Sequence, residues 1–329
     1  MNKGNRKLHF MISIMVCCEF LCGFDGTIIG NLQALPSWQA DLGYPTGARL
    51  GLLNAISSVT GALVGPFNAY ICDRFGRRWP IRFYGFTMCL GTLIGVLAGI
   101  KTGTASFALF LVSKAVIGVG MQCGLVTSMI ALQEISHPRH RAISTAIFDP
   151  QYCLGSAFAS FITFGTSYLN NSWSWRIPYL IQLVPACYVL FATYLIPESP
   201  RFLISKGREQ EALDFLVEYH GNGNPEDELV KFEFDEIKAT IAIEQEAASE
   251  SWRSVWHAPG NKKRFALAAM MTFIPQLNGG SIISFYYTTM LNLVGVTGAG
   301  TQLGINTGLL VFRQFFCPLD YSPFAEALS

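Results

Sequence analysis

Long apolar runs recur down this chain, and they decide what it can fold into. Residues 10–35, 47–71, 80–100, 104–133, 143–167, 176–196 and 265–294 form seven such runs, with 300–316 as a weaker eighth. About 20 apolar residues cross a bilayer's hydrocarbon core as a helix, and only helices or closed barrels satisfy every backbone polar group there. Runs of this length predict helices, so the expected class is an all-α membrane protein in contact with the lipid bilayer. Charge agrees: 14% of residues are Asp, Glu, Lys or Arg, against about 25% in soluble domains. A net charge of +1 and no basic stripe with interleaved aromatics argue against a nucleic-acid partner. The first run has no small-residue cleavage site and reads as a signal anchor.

Lys and Arg in the short loops orient the helices. Lys3, Arg6, Lys7, Arg74, Arg77, Arg78, Arg82, Arg139 and Arg141 fall on one side, while Arg49, Lys101 and Arg176 fall on the other. The richer side marks the cytoplasm, which predicts a cytoplasmic N-terminus in a multi-pass protein of the plasma membrane. Asn170 then opens a glycosylation sequon in an outward loop. The one long polar stretch, 197–264, holds 14 acids and 9 bases. Arg208–Tyr219 places Ala212, Leu213, Phe215, Leu216 and Tyr219 on one helical face, and GNGNP at 221–225 breaks the pattern. The expected organisation is a transmembrane bundle over 1–196, a helical linker domain over 197–264, and a further membrane region over 265–329.

Asp25 stands in CGFDGTIIG, where residues 8–35 hold no other acid or base of formal charge except Glu19. A carboxylate at mid-bilayer costs about 2.5–3.5 kcal/mol, so such residues usually line a pathway or face a partner. Glu19 is six residues away, about 240° round a helix, and faces elsewhere. The glycines Gly85, Gly91, Gly95 and Gly99, with Gly118, Gly120 and Gly124, let helix backbones approach. The nine cysteines have no metal-ligand spacing, and no catalytic His, Cys or Ser constellation stands out. Neither an enzyme nor a cofactor is expected.

Five motifs follow in order. GFDG lies in the first run and DRFGRR, Asp73–Arg78, follows the second. EISHPRHR, Glu134–Arg141, closes the fourth, PESPRFL begins at Pro197, and QLNGGSIISFYY, Gln276–Tyr287, fills the seventh. The set resembles the sugar porters of the major facilitator superfamily, over about residues 10–310. That resemblance implies a major-facilitator fold, here a complete N-terminal six-helix bundle plus helix 7 and part of helix 8. It also implies alternating access around a central solute site in a monomer, with sugar and protons as partners.

By position, the resemblance gives Asp73, Arg74, Arg77, Arg78, Glu134, Arg141, Glu198 and Arg201 a role in ion-pair networks that hold one conformation. Asp73 is expected to take forked bonds from Arg77 or Arg78. Asp25 matches an acid of proton-coupled members, and Lys114 stands where they have a partner arginine, 20 residues before Glu134. Lysine keeps the charge without the fork of donors. The expected sugar contacts are Gln276, Ser281, Phe285 and Tyr286, with Asp149 by register and Gln151 as the alternative in the fifth helix. After Leu310 the pattern is expected to fail, with a helix broken at Arg313 and Pro318 and a tail characteristic of a truncated chain. A hexose or disaccharide importer is the leading reading. A sugar sensor and a non-transporting fragment are the rivals.

Overall fold

The computed structural model describes residues 3–100, 103–221, 223–248 and 259–327, and every regular element among them is helical. The first six membrane passes are built from α1 (Lys3–Leu32), α3 (Ala48–Phe75), α4 (Arg78–Leu97), α5 (Thr104–Ile135), α6 (Arg141–Thr166) and the pair α7 (Trp173–Ile181) and α8 (Leu183–Ala192). A short helix, α2 (Pro36–Leu42), follows α1 and was not expected from the apolar pattern. Arg6–Leu32, Ala48–Phe75, Arg78–Leu97, Thr104–Ile135 and Trp173–Leu195 are long and apolar enough to cross a membrane. The 26 residues of α6 give sufficient length, but Ser, Thr, Asp149 and Gln151 dilute its apolar content.

Two crossings set the geometry. α4 and α5 pack along their glycine faces: Gly124 sits under the Tyr84 ring and Gly120 against Thr87. α1 and α6 meet more closely still. A Cβ on Gly23 would strike the backbone of Tyr152, and a Cβ on Gly155 would strike the backbone of Phe20. Each glycine accommodates the other helix's main chain, the arrangement that lets membrane helices gain contact without a hydrophobic driving force.

The sixth run is interrupted at Gln182, where the expected single helix becomes α7 and α8. Pro185 lacks the N–H that would bond to residue 181, which removes one rung at the junction. The seventh run also departs from a single helix. It divides into α12 (Pro259–Leu277) and α13 (Gly280–Leu293), because Gly279 adopts φ 74°. That left-handed value suits glycine and ends the first half-helix.

The tail corrects a second expectation. α14 (Ala299–Ala327) runs on through Arg313, Pro318 and Pro323. Arginine is a good helix former; each proline removes one ladder bond and crowds the carbonyl four residues before it, a cost of about 3 kcal/mol that this long helix carries.

Between the sixth and seventh passes lie α9 (Pro200–Ser205), α10 (Glu209–Tyr219) and α11 (Glu228–Ala248). The face of α10 read from the sequence is the one it buries: Ala212, Phe215, Leu216 and Tyr219. Leu203, Ile204, Ala212 and Ile241 form a small apolar cluster of their own. The expected approach segment, 251–261, lies outside the described residues up to 258.

Candidate solute and proton site

Asp25 sits in the C-terminal third of α1, with only 4% of its side chain exposed. Lys114, from the first half of α5, has no exposed side-chain surface and donates from Nζ to Asp25 Oδ1 at 2.8 Å. Gln182 donates from Nε2 to the same oxygen at 3.0 Å. The Lys114 ammonium also lies 5.4 Å from the centre of the Tyr179 ring, and the Tyr179 hydroxyl is 2.9 Å from that of Ser113. A buried carboxylate is therefore met by a cation, an amide and an aromatic face. Gln182 Oε1 is buried without a hydrogen-bond partner. Such an atom is costly in an apolar interior.

Sequence reading missed Gln182. The available signal was a lone amide in an apolar run three residues before a proline. Polar residues at such a break repay attention because freed backbone groups and side chains are re-bonded there.

A cavity of about 630 Å³ opens beside this level of α1, its wall taking Cys22, Gly26, Thr27 and Gly30 from either side of Asp25 in the chain. The wall also includes Tyr152 and Ser156 of α6, and Gln276, Phe285, Asn306 and Arg313 of the last three helices. The volume and the scatter of hydroxyl and amide groups among apolar ones suit a small polar solute. The Arg313 guanidinium lies 6.0 Å from the Tyr152 ring centre.

The expected solute contacts divide on this wall. Gln276 and Phe285 line it, and the Phe285 carbonyl also accepts from Gln33 at 3.2 Å and Asn54 at 3.3 Å. Tyr287 lines the cavity in place of Tyr286, whose hydroxyl approaches Gly51 instead. Tyr286 has non-helical angles, φ −114° and ψ 19°, which turn the expected aromatic pair off its register. On α6 the lining residues are Tyr152 and Ser156; Asp149 is exposed and Gln151 half-buried, and neither is in the wall. Asp149 instead acts electrostatically on Glu19, which is buried at 8% exposure. The side chain of Ser281 lies outside the described residues.

The charged motifs gather at the end of the bundle that carries α9–α11. Arg77 makes a fork with Glu134, Nε to Oε2 at 3.0 Å and Nη2 to Oε1 at 2.9 Å. Its backbone N–H donates to Glu198 at 3.1 Å, and its guanidinium lies 5.8 Å from the Phe202 ring centre. Burial alone would lower the Arg77 pKa, but the bond and charge of Glu134 outweigh it and the net shift is upward. Glu198 is shifted upward by burial, against the pull of the Arg77 and Arg78 N–H groups.

Asp73 corrects the expectation of a forked acceptor. Its side chain is 78% exposed and reaches Arg77 Nη1 only at 3.6 Å, because Glu134 takes the fork from the bundle interior. Arg74 donates to the Tyr70 hydroxyl at 2.6 Å, and Arg78 donates to the Tyr194 carbonyl at 3.2 Å. Arg141 stands 3.6 Å from Glu233, and Arg201 pairs with Glu244. Asn170 is exposed in the loop before α7.

Residues 11–321 match the model of the family described as sugar (and other) transporters. The chain belongs to that family. The match continues past Leu310 into the stretch read as divergent, in keeping with the unbroken α14. Among curated relatives, a probable quinate permease of Neosartorya fischeri is 27% identical over 322 residues, covering 93% of this chain and 58% of its own length. The quinate permease of Neurospora africana is 28% identical over 320 residues, with the same coverage. This transporter chain thus spans about 58% of the length of those relatives. Among solved structures, the proton:xylose symporter XylE bound to 6-bromo-6-deoxy-D-glucose superposes with a TM-score of 0.80 at 17% identity, covering 96% of this chain and 69% of that one. A partially occluded, inward-open form of the E. coli xylose transporter gives 0.74 at 18%, covering 94% and 71%. At such identity the likeness speaks for the fold.

Proposed function

We propose that this chain forms the proton-coupling part of a secondary transporter that imports a sugar, a hexose or disaccharide, by symport with alternating access. The observation that carries the reading is the buried Asp25–Lys114 pair, with Cys22 and Gly26 on either side of Asp25 lining the cavity. Lys114 favours the ionised acid, and loosening the pair as solute binds raises the acid's affinity for a proton. The solute would sit against Gln276, Phe285, Tyr152 and Ser156. The loop charges favour a cytoplasmic N-terminus in a plasma-membrane protein, which puts α9–α11 in the cytoplasm as a linker domain. In this reading Arg77, Glu134 and Glu198, with Arg74, Arg78, Arg141 and Arg201 around them, stabilise one conformation and do not touch solute.

Uptake by reconstituted full-length protein tests the reading. Asp25→Asn is expected to abolish accumulation driven by a proton gradient and to leave solute exchange intact. Accumulation that survives the substitution would remove Asp25 from the coupling role.

Arg313 in the cavity wall favours a second reading, a polyol that carries a carboxylate. The relatives named for quinate handle a solute of that chemistry. Competition separates the two. If a neutral sugar displaces bound label at lower concentration than quinate, and Arg313→Gln changes neither, the sugar reading stands; the opposite order, lost in Arg313→Gln, selects the anion.

A further inference from the structure

His220 caps the C-terminal end of α10, and its side chain has no exposed surface. Nδ1 lies 2.7 Å from Glu233 Oε2 on α11, and Nε2 lies 3.1 Å from the carbonyl oxygen of Ile135. Ile135 is the last residue of α5, so that carbonyl is among those a helix end leaves unbonded within the helix. One ring therefore joins two helices of the polar unit to a helix of the membrane bundle.

A neutral imidazole has one donor nitrogen and one acceptor nitrogen. A carbonyl oxygen only accepts, so Nε2 carries a hydrogen. Nδ1 then faces a carboxyl group, and an ionised carboxylate also only accepts. At 2.7 Å two lone pairs would oppose each other unless one further proton sits on Nδ1 or on Glu233. We infer that His220 and Glu233 form a proton-binding site holding one shared proton, and that this proton fastens α10 and α11 to the end of α5.

The surroundings sharpen the assignment. From α6, Arg141 lies 3.6 Å from Glu233 Oε1, a cation at the carboxylate's other oxygen, which assigns the shared proton to the ring. From the turn between α5 and α6, the His137 ring lies 5.2 Å from that of His220, with His140 and Arg139 beside it. Burial, and then His220, hold His137 below the ordinary histidine value. Phe215 of α10 closes the remaining side at 6.1 Å. Loss of the proton in this buried place leaves acceptor against acceptor, and the polar unit loosens as pH rises. The helix it leaves carries both Lys114 and Glu134, so the fastening bears on the helix that holds both buried ion pairs. Nothing in this inference depends on which solute is carried.

Amide hydrogen exchange on the whole chain in lipid nanodiscs tests it. After correction for the intrinsic rate, protection of residues 209–219 and 228–248 is expected to fall about tenfold between about pH 5.5 and 8, the range over which histidine changes charge. In Glu233→Gln the new amide can donate to Nδ1 of a neutral ring, so protection should stay high across the range. His137→Gln should keep the original slope. A flat profile in the unsubstituted protein, a slope that Glu233→Gln leaves intact, or a slope that His137→Gln removes would each overturn the inference. Nitrogen NMR of the labelled His220 ring reads the proton without any substitution. Two protonated nitrogens at the acid end, becoming one as protection falls, are expected; a singly protonated ring throughout would also overturn it.

Discussion

At Arg77–Glu134 a guanidinium fork meets both oxygens of a carboxylate, while at Asp25–Lys114 an ammonium and an amide crowd onto one oxygen. The fork is planar, its cation keeps its charge, and it is tied further to Glu198 and Phe202. It is built to stay closed until whole elements separate. The pair in the membrane has a point-charge cation on a flexible stem and an acid whose bonds gather on Oδ1. It resists solvent by burial and not by bond number, so a change in burial is enough to alter it. The difference teaches that two ion pairs of similar length can be held in different ways, one by the number of its bonds and one by burial.

The comparison breaks most visibly at Lys114. Lys114→Met strands a buried carboxylate and should cost about 3–5 kcal/mol, seen as a lowered thermal midpoint. Adding Asp25→Asn should recover most of that loss, and failure to recover would mean that Lys114 matters for packing alone. Arg77→Lys keeps the charge and loses the fork; a cost of about 1.5–3 kcal/mol is expected in the same assay. Gln182→Leu removes a single bond to a charged oxygen and should cost about 1–2 kcal/mol, while shifting the pH at which proton-driven uptake is half-maximal. An unmoved profile would leave Gln182 a structural role only.

Smaller effects sharpen the other side. Burial raises the Glu198 carboxyl above its ordinary 4.5. The folded chain then keeps that proton to higher pH than the unfolded chain does. The contribution of Glu198 to stability is accordingly present in acid and falls as pH climbs from 4.5 through the folded value. Glu198→Gln should flatten that decline in a pH series of melting curves. Asp73→Asn should change stability by no more than about 0.5 kcal/mol, since its side chain is 78% exposed and its contact is long.

Sequence made the helices legible wherever apolar length and loop charge agreed, and it brought Asp25 to Lys114 through motif spacing. It made the buried face of α10 legible apart from Leu213, which is half-buried, because a water-facing helix must sort its apolar side chains onto one face. Inside a membrane that sorting fades, and the expectations drawn from register strayed accordingly. Tyr286 sits one residue, and Asp149 three residues, before the positions that line the cavity, Tyr287 and Tyr152. Asp73 was read from its neighbours in the chain, whereas the choice of Glu134 for the fork depends on α5, 57 residues away. The breaks at Gln182 and Gly279 belong to single residues inside runs that look continuous by composition. The prolines of the tail misled in the other direction, since a long helix absorbs the loss of one bond.

At the crossing of α1 and α6, Gly23 lies two residues from Asp25 and Gly155 one residue from Ser156 in the cavity wall. The distance between the acid and the chamber is therefore set by carbon atoms that are missing. One methyl at either glycine acts as a wedge between two main chains, pressing on Tyr152 from Gly23 and on Phe20 and Phe24 from Gly155. Alanine, harmless on most helices, becomes at these two places a way to uncouple a charge from the space it serves without altering either one.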